Sequence, residues 1–366
     1  MGLNIGIVGL PNVGKSTIFN ALTKAQNAAS ANYPFCTIEP NKATVPVKDK
    51  RLDIISEFVK PQQTIYATVD FVDIAGLVKG ASRGEGLGNK FLANIRESNA
   101  ILHVVRCFDD ENIVHVDGSV NPLRDIEVIE TELILADIQS IEKHYDRIQK
   151  QAKGDKKLLP LVEILKELTE HLNSGKPVSS FGHRDDADFV QFLKLASFLT
   201  DKPVIYALNI GENDIAEEND YVKSVKKYAQ EHNAQSVAIC AKIEEDLIGI
   251  SDEEALELLN EYGLKESALQ GLTRISYDIL GLQSFFTAGP KEVRAWTIGK
   301  GWKAPQAAGV IHTDFERGFI RAQVISYDDY VKYKSVAACR NAGVLRTEGK
   351  EYEMQDGDVV EFLFNV

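Results

Sequence analysis

The sequence has few of the features that mark secreted or membrane proteins. Its four cysteines, Cys36, Cys107, Cys240 and Cys339, lie far apart and include no C-x-x-C pair, which argues against the dense disulfide framework of small secreted domains. The N-terminus has neither a basic leader region nor a small-residue cleavage site, and no apolar run approaches the roughly 20 residues that a membrane span requires. We therefore expect a cytoplasmic protein with no membrane partner.

The chain has fewer basic than acidic side chains. The chain has 41 lysine and arginine residues against 54 aspartate and glutamate residues, a formal net charge of −13. This charge opposes non-specific wrapping of nucleic acid by the whole molecule, although a local basic face remains compatible with it. The 366 residues, 44% of them hydrophobic, exceed the usual size of one core, so we expect two or three domains and a monomer.

Short apolar runs alternate with helical patterns over much of the chain, which predicts a parallel sheet covered by helices on both faces. Ligands of such sheets bind at the carboxyl ends of the strands. The strand-like runs are residues 3–8, 43–47, 64–74, 100–108, 203–209 and 235–240.

The alternation breaks at residues 122–200, where two long helical stretches replace one crossover helix. Apolar residues recur in both at spacings of three and four, which predicts a coiled-coil hairpin around the polar turn 153–157. The stripe either packs inside the protein or serves as a docking arm. Its residues are Ile134, Ile138, Ile141, Tyr145 and Ile148 in the first helix and Leu158, Leu161, Leu165, Leu168 and Leu172 in the second. From Leu282 onward, short strands separated by glycine-bearing turns indicate a separate α+β module.

A phosphate-binding loop is predicted at residues 9–16, where G-L-P-N-V-G-K-S matches G-x-x-x-x-G-K-[ST] between a strand and a helix. The glycines let successive backbone N–H groups point at a triphosphate, and the helix N-terminus adds partial positive charge. Lys15 would contact the β- and γ-phosphates, Ser16 would bind Mg²⁺, and Thr17 would support the α-phosphate. The predicted phosphate-binding residues are Asn12, Val13, Gly14, Lys15, Ser16 and Thr17.

A second motif, D-I-A-G at residues 73–76, ends the next long apolar run. Asp73 can hold Mg²⁺ directly or through water, and the Gly76 N–H can meet a γ-phosphate oxygen that is lost on hydrolysis. The glycine-rich segment that follows suits a region that orders when the γ-phosphate is present. Thr37 is either a second Mg²⁺-binding hydroxyl or an ordinary loop threonine.

These motifs, with PFCTIEPN at 34–41 and DIAGLVKGASRGEGLGN at 73–89, resemble the YchF or Obg-like ATPase subfamily of the Obg family of TRAFAC-class P-loop GTPases. The resemblance covers nearly the whole chain. It implies an α/β P-loop NTPase domain with a parallel-rich sheet over 1–121 and 201–281, an inserted antiparallel coiled-coil hairpin over 122–200, and a C-terminal ubiquitin-like β-grasp module, called TGS, over 282–366. It also implies a ribosomal or RNA partner.

The base-reading motif departs from the N-K-x-D of GTPases. Asn209-Ile210-Gly211-Glu212 follows a predicted strand, so the aspartate that accepts from guanine N1–H and N2–H is replaced by a longer glutamate. Ile210 replaces the lysine that packs on the base, and Asn209 can still meet the purine edge. We expect ATP to be preferred, with GTP second. Residues 240–242, C-A-K, resemble the S-A-K base loop only weakly.

Catalysis is predicted to be slow. Many GTPases orient the attacking water with a glutamine after D-x-x-G, but position 77 is leucine, which makes no side-chain hydrogen bond. His115 is our first candidate for that role, ahead of Arg83 and Lys79, although it could simply line a strand edge. Lys15 and Gly76 would stabilise the phosphates. Asn12 either helps to bind K⁺ or only stabilises the turn.

Three functions are compatible with the sequence: a nucleotide-dependent switch with slow ATPase activity, which we favour, a metabolic kinase, and a scaffold whose nucleotide is structural. Basic and aromatic residues mixed in the last module permit RNA contact, or else form a solvated face with buried aromatics. These residues are Arg294, Trp296, Lys300, Trp302, Lys303, Arg317 and Arg321.

Overall fold

The computed structural model describes residues 3–29, 41–74, 87–113, 115–116 and 118–365. The contacts between Cα atoms divide the chain into two compact units, one of residues 3–21 and 71–268 and the other of residues 22–70 and 269–366. No helix in these described ranges is long and apolar enough to cross a membrane.

The described residues form twelve strands, fourteen α-helices and three short 3-10 helices at 156–158, 178–180 and 212–214. The strands are β1 (Asn4–Val8), β2 (Lys42–Val47), β3 (Gln63–Ile65), β4 (Ala67–Asp73), β5 (Ala100–Arg106), β6 (Val204–Asn209), β7 (Gln235–Ile239), β8 (Leu282–Ala288), β9 (Glu292–Gly299), β10 (Phe319–Ile325), β11 (Arg346–Glu348) and β12 (Val359–Phe364). The helices are α1 (Lys15–Ala29), α2 (Lys50–Val59), α3 (Leu87–Glu97), α4 (Pro122–Ala152), α5 (Leu159–Asn173), α6 (Ala187–Ala196), α7 (Asp220–Glu231), α8 (Ala241–Asp246), α9 (Asp252–Glu261), α10 (Ala268–Ile279), α11 (Ala304–Ile311), α12 (Thr313–Arg317), α13 (Tyr327–Tyr333) and α14 (Val336–Asn341).

The first sheet has six strands in the order β2-β4-β1-β5-β6-β7. β5 is parallel to both β1 and β6, and β6 is parallel to β7, as the alternation of strand and helix predicts. β5 is apolar along most of its length and buried at all seven positions, which is typical of a parallel strand covered on both faces. The parallel register, with Val8 beside His103 and Arg106 beside Asn209, brings the carboxyl ends of these strands to one edge.

The predicted helical hairpin is confirmed. α4 begins with Pro122 after Asn121, whose side-chain oxygen accepts from the backbone N–H of Arg124, and α5 follows after a short turn. All ten residues of the predicted stripe lie in one hydrophobic cluster between α4 and α5 or pack against it. Phe189 and Phe192 of α6 complete the cluster, so the stripe packs inside this part of the protein.

The second sheet has the order β11-β10-β12-β8-β9-β3. β8 and β9 pair antiparallel, β12 runs parallel to β8 at Val359 and Phe286, and β10 pairs antiparallel with β12. Buried alanines of α11 pack against apolar residues of this sheet. The mixed sheet with its covering helix matches the β-grasp fold that the resemblance implies.

One predicted strand is in fact two. The run 64–74 is interrupted at Tyr66, so that β3 pairs parallel with β9 of the second sheet while β4 belongs to the first. α2 lies with β3, because the Thr64 hydroxyl of β3 donates to Ser56 Oγ of α2 at 2.9 Å. Arg51 of α2 also forms ion pairs with Asp49 and Asp356 and places its guanidinium 5.4 Å from the Phe286 ring centre. The apolar alternation continues through Tyr66, so periodicity alone cannot show that the two halves join different sheets. The domain limits derived from the resemblance remain a prediction.

Candidate functional site

The loop between β1 and α1 has the backbone of a phosphate-binding loop. Gly9, Asn12 and Gly14 have φ of +156°, +60° and +99°, and α1 begins directly afterwards at Lys15. A Cβ atom at Gly9 would lie 2.5 Å from the Val104 carbonyl oxygen, and one at Gly14 would lie 2.2 Å from the Asn209 Nδ2. Only glycine fits these two positions, and the loop delivers the N-terminus of α1 to the carboxyl edge of the sheet.

Lys15 is largely buried and lies over this loop, with its Nζ donating to the Leu10 carbonyl at 2.6 Å. Burial lowers the pKa of Lys15, while the nearby Asp73 carboxylate raises it. Burial likewise raises the pKa of Asp73, and Lys15 lowers it. The P-loop lysine and the carboxylate at the end of β4 thus share one electrostatic environment, as the two motifs predict.

The oxygens near the loop suit Mg²⁺. Ser16 is exposed in the first turn of α1 and Asp73 ends β4. A hydroxyl and a carboxylate are therefore available as ligands, and both are hard oxygen donors of the kind that Mg²⁺ prefers. No group of three or more histidine, cysteine, aspartate or glutamate side chains in the described ranges could hold a metal by itself. At nucleotide sites, Mg²⁺ is usually bound by one or two protein oxygens together with substrate phosphates. Two predicted residues, Thr37 and Gly76, lie outside the described residues, as do Leu77, Lys79 and Arg83.

The loop after β5 is organised by an arginine that the sequence analysis did not single out. Arg106 is 1% exposed and donates to three carbonyls: Nε to Phe108 at 3.0 Å, Nη1 to Ile113 at 2.9 Å and Nη2 to Asp110 at 3.1 Å. A guanidinium satisfied by backbone oxygens in this way fixes the path of the loop that leads to His115. In the sequence, the sign of this role is an arginine at the end of a mostly apolar strand.

His115 is buried beside a carboxylate. Its Nε2 lies 2.8 Å from Oδ2 of Asp125, which is also buried, and Arg124 reaches the other oxygen of Asp125 at 3.2 Å. The sequence analysis identified His115 but not Asp125, which lies in the first turn of α4. A carboxylate in contact with an imidazole nitrogen fixes the ring orientation.

His103 is a second buried histidine that sequence analysis treated only as part of an apolar run. Burial, assisted by the positive charge of Lys15, lowers the pKa of His103 to about 3. Its ring centre lies 5.6 Å from that of Tyr206. The imidazole is therefore neutral at physiological pH and forms part of the core beneath the phosphate loop.

The base-reading residues begin at Asn209, the last residue of β6. Asn209 is buried and its Nδ2 donates to the Val13 carbonyl at 3.0 Å, so one of the two N–H groups of its amide links β6 to the phosphate loop. Ile210 is 8% exposed and packs in the hydrophobic cluster that includes Leu208 and Val225, so little of its surface remains for a base. Ile210 thus alters the surface that a lysine would offer to the base, and its place among the nucleotide-binding residues stays a prediction. Glu212 begins a short 3-10 helix.

The chain is similar to known proteins over its whole length. A family model described as "50S ribosome-binding GTPase" matches residues 4–137, and the model YchF-GTPase_C, described as "Protein of unknown function (DUF933)", matches residues 282–365. Proteins named ribosome-binding ATPase YchF from Escherichia coli O157:H7 and Bacillus subtilis are 52% and 50% identical, with all of both chains covered in each case. This chain belongs to the YchF family.

A solved structure supports the assignment to the YchF family. The YchF GTPase of Schizosaccharomyces pombe matches with a TM-score of 0.90 and 40% identity, covering 99% of this chain and 98% of that one. The YchF-family fold therefore extends through both units and the hairpin. The resemblance drawn from the motifs at 9–16 and 73–89 is confirmed.

Proposed function

We propose that this protein is a cytoplasmic nucleotide-dependent switch that binds ATP in preference to GTP, hydrolyses it slowly, and acts on the ribosome. The phosphate loop carries the proposal, because its positive φ angles, the buried Lys15 and the adjoining Asp73 together form a triphosphate site. The relatives bear the name ribosome-binding ATPase, which supports both the activity and the partner.

Each residue at the phosphate end has a defined task in this proposal. The backbone N–H groups of residues 12–14 would surround the β-phosphate, Lys15 would bind the β- and γ-oxygens, and Thr17 would reach the α-phosphate. Ser16 and Asp73, with Thr37, would hold Mg²⁺, which neutralises charge developing on the phosphates. Asn12 would contribute to a K⁺ site beside them.

The preference for ATP follows from the replacement of the guanine-reading aspartate by Glu212. Asn209 does not select the base, because GTPases with N-K-x-D carry the same asparagine. Its Nδ2 uses one of two N–H groups on the Val13 carbonyl, which leaves one N–H donor and the acceptor Oδ1 for a purine edge. The longer Glu212 misplaces the carboxylate that accepts from guanine N1–H and N2–H, so guanine recognition is weakened.

Hydrolysis requires a water in line with the γ-phosphorus. Its oxygen forms the new P–O bond, the bond to the ADP oxygen breaks, and the water's proton passes to phosphate or to a base. We assign the positioning of this water to His115, whose imidazole is oriented by Asp125. Lys15 and the Gly76 N–H would stabilise the charge on the phosphate oxygens. Turnover should be slow, because position 77 carries leucine instead of the glutamine that orients water in many GTPases.

The first test measures binding and turnover on the same samples. Nucleotide-free protein is titrated with fluorescent ATP and GTP in Mg²⁺ with either K⁺ or Na⁺, and phosphate release is then followed. We expect tighter ATP binding and slow release of phosphate that K⁺ accelerates. Tighter GTP binding would overturn the base assignment while leaving the phosphate site intact.

A second test addresses His115. His115→Ala should lower kcat by about 100-fold or more, within the usual range for general acid–base catalysis, with the Kd for ATP unchanged. His183→Ala, at an exposed histidine paired with Glu167, is the matched control and should retain full turnover. Unchanged kcat in His115→Ala with ATP still bound would contradict the assignment.

The ribosomal partner is tested by co-sedimentation with 70S ribosomes in the presence of ADP or a non-hydrolysable ATP analogue. We expect binding that depends on the nucleotide. In the C-terminal module, Arg294 lies 3.9 Å from the Trp296 ring centre, and the Lys303 ammonium is paired with Glu351. Part of the basic and aromatic set is thus engaged inside the module, while Trp302 and Arg321 remain exposed for RNA contact.

A further inference from the structure

Two loops at the carboxyl edge of the first sheet are joined by an ion pair. β6 and β7 are parallel neighbours with Asn209 beside Ile239, and the Ile210 N–H donates to the Ile239 carbonyl at 3.0 Å. Just beyond these strands, the Nζ of Lys242 lies 2.7 Å from Oε2 of Glu212. The pair connects the last residue of the N-I-G-E motif with the last residue of the C-A-K loop.

The ion pair leaves both side chains within reach of solvent. The Lys242 side chain is 67% exposed and that of Glu212 is 36% exposed. The hydrogen bond and the charge of Glu212 raise the pKa of Lys242, so the lysine remains an ammonium. An ammonium has three N–H donors and the carboxylate uses one of them. The pair therefore neutralises opposite charges at the surface of these loops, and neither side chain contributes to the hydrophobic core.

We propose that Lys242 is a specificity-determining residue that favours ATP over GTP by pairing with the carboxylate of Glu212. The proposal rests on the function proposed above, in which Asn209 and Glu212 lie beside the purine, and the ion pair brings Lys242 to the same place. A free carboxylate accepts the N1–H and N2–H of guanine and is repelled by the bare N1 acceptor of adenine. With Lys242 on Oε2, the carboxylate is already engaged and its charge is balanced, which penalises guanine and removes the repulsion of adenine.

The test compares the ratio of the two dissociation constants, Kd for GTP over Kd for ATP, in a double-mutant cycle with fluorescent nucleotides. Lys242→Ala frees Glu212, so we expect GTP to bind more tightly, ATP more weakly, and the ratio to fall by about threefold to tenfold, the net effect of one ordinary hydrogen bond at a solvent-exposed site. In the Glu212→Gln background the same lysine substitution should leave the ratio unchanged, because no free carboxylate results. Lys227→Ala, which removes an exposed ion pair with Glu231 in α7, is the matched control and should not change the ratio.

Two results would overturn the role of Lys242. An equal change in the affinities for ATP and GTP in Lys242→Ala would show that the lysine does not discriminate between bases. A shift of the ratio that persists in the Glu212→Gln background would show that Lys242 acts without the carboxylate. Wild-type protein that binds GTP more tightly than ATP would refute the proposed ATP preference, whereas a fall in the ratio on Lys242→Ala would still support the role of the lysine.

Discussion

Replacing Gly14 by alanine tests the phosphate loop most directly. The residue has φ of +99°, a conformation that L-residues rarely adopt, and its missing Cβ gives room to the Asn209 side chain. An added Cβ would lie 2.2 Å from Asn209 Nδ2 and 3.2 Å from Asn209 Cγ. Either the loop or the asparagine must move, and the hydrogen bond from Asn209 to Val13 is then lost.

The expected cost has two parts. A non-glycine residue in a sparsely populated positive-φ region costs about 1–3 kcal/mol. Loss of the hydrogen bond between Asn209 and Val13 adds about 0.5–1.5 kcal/mol. We therefore expect Gly14→Ala to lose about 2–4 kcal/mol in total, divided between the free energy of unfolding and that of ATP binding. Placed wholly on binding, this corresponds to a Kd about 30-fold to 1,000-fold higher.

The assay combines denaturant unfolding of the nucleotide-free protein with titration of fluorescent ATP. Gly175→Ala is the matched control, because Gly175 also has a positive φ, +80°, but a Cβ there would meet no atom within 4 Å. It should lose only the conformational part in stability and bind ATP as the wild type does. If Gly14→Ala matches the wild type in both measurements, the reasoning about this loop is refuted.

Three further predictions concern stability. Leu165 is a fully buried residue of the hairpin stripe, so Leu165→Ala should lower the free energy of unfolding by about 2–5 kcal/mol in denaturant titrations. Leu195→Ala is the control, because this side chain is 77% exposed and its loss should change the free energy of unfolding by less than about 0.5 kcal/mol. The pKa of His103 falls from 6.5 to about 3 on folding, so its contribution to stability is present above pH 6.5 and is lost on acidification. When the pH is lowered from 7 to 4.5, the free energy of unfolding of the wild type should therefore fall by about 2–3 kcal/mol more than that of His103→Gln. The control His183→Gln should behave as the wild type. Equal losses in the wild type and in His103→Gln would contradict the effect of His103. Removing residues 282–365 deletes β9, the partner of β3, so the remaining chain should have a lower midpoint of thermal unfolding by circular dichroism. An unchanged midpoint would show that the stability of the remaining chain does not depend on β9.

Local sequence patterns predicted a large part of the fold and the phosphate site. The G-x-x-x-x-G-K-S motif indicates its own turn, because Gly9 and Gly14 have positive φ angles that glycine adopts more readily than other residues. The hairpin stripe was readable because spacings of three and four residues place side chains on one helix face, and Leu165 and Leu168 are indeed fully buried there. Both signals come from residues that lie close together in the sequence.

Pairings between distant residues were not readable. The carboxylate that contacts His115 is ten residues away at Asp125, and the lysine that pairs with Glu212 is thirty residues away at Lys242. Each of these residues has the same appearance in the sequence as an ordinary charged surface residue. Glu212 and Lys242 meet because β6 and β7 are neighbours in the sheet, and His115 meets Asp125 because the loop after β5 turns back to the first turn of α4. A single sequence specifies neither strand order nor the path of that loop.

The stretch from β2 to β4 shows why a single cut cannot separate the parts of this chain. β2 belongs to the first sheet, α2 and β3 then pack with the second sheet, and β4 belongs to the first sheet again and ends at Asp73. Tyr66 alone separates β3 from β4, so the carboxylate assigned to Mg²⁺ lies eight residues along the chain from a strand that pairs with β9. The ion pair between Arg51 and Asp356 spans 305 residues of sequence and fixes the same stretch. A truncation that is meant to isolate the second sheet must therefore keep α2 and β3 together with residues 282–365, because β3 pairs with β9 and Arg51 of α2 pairs with Asp356.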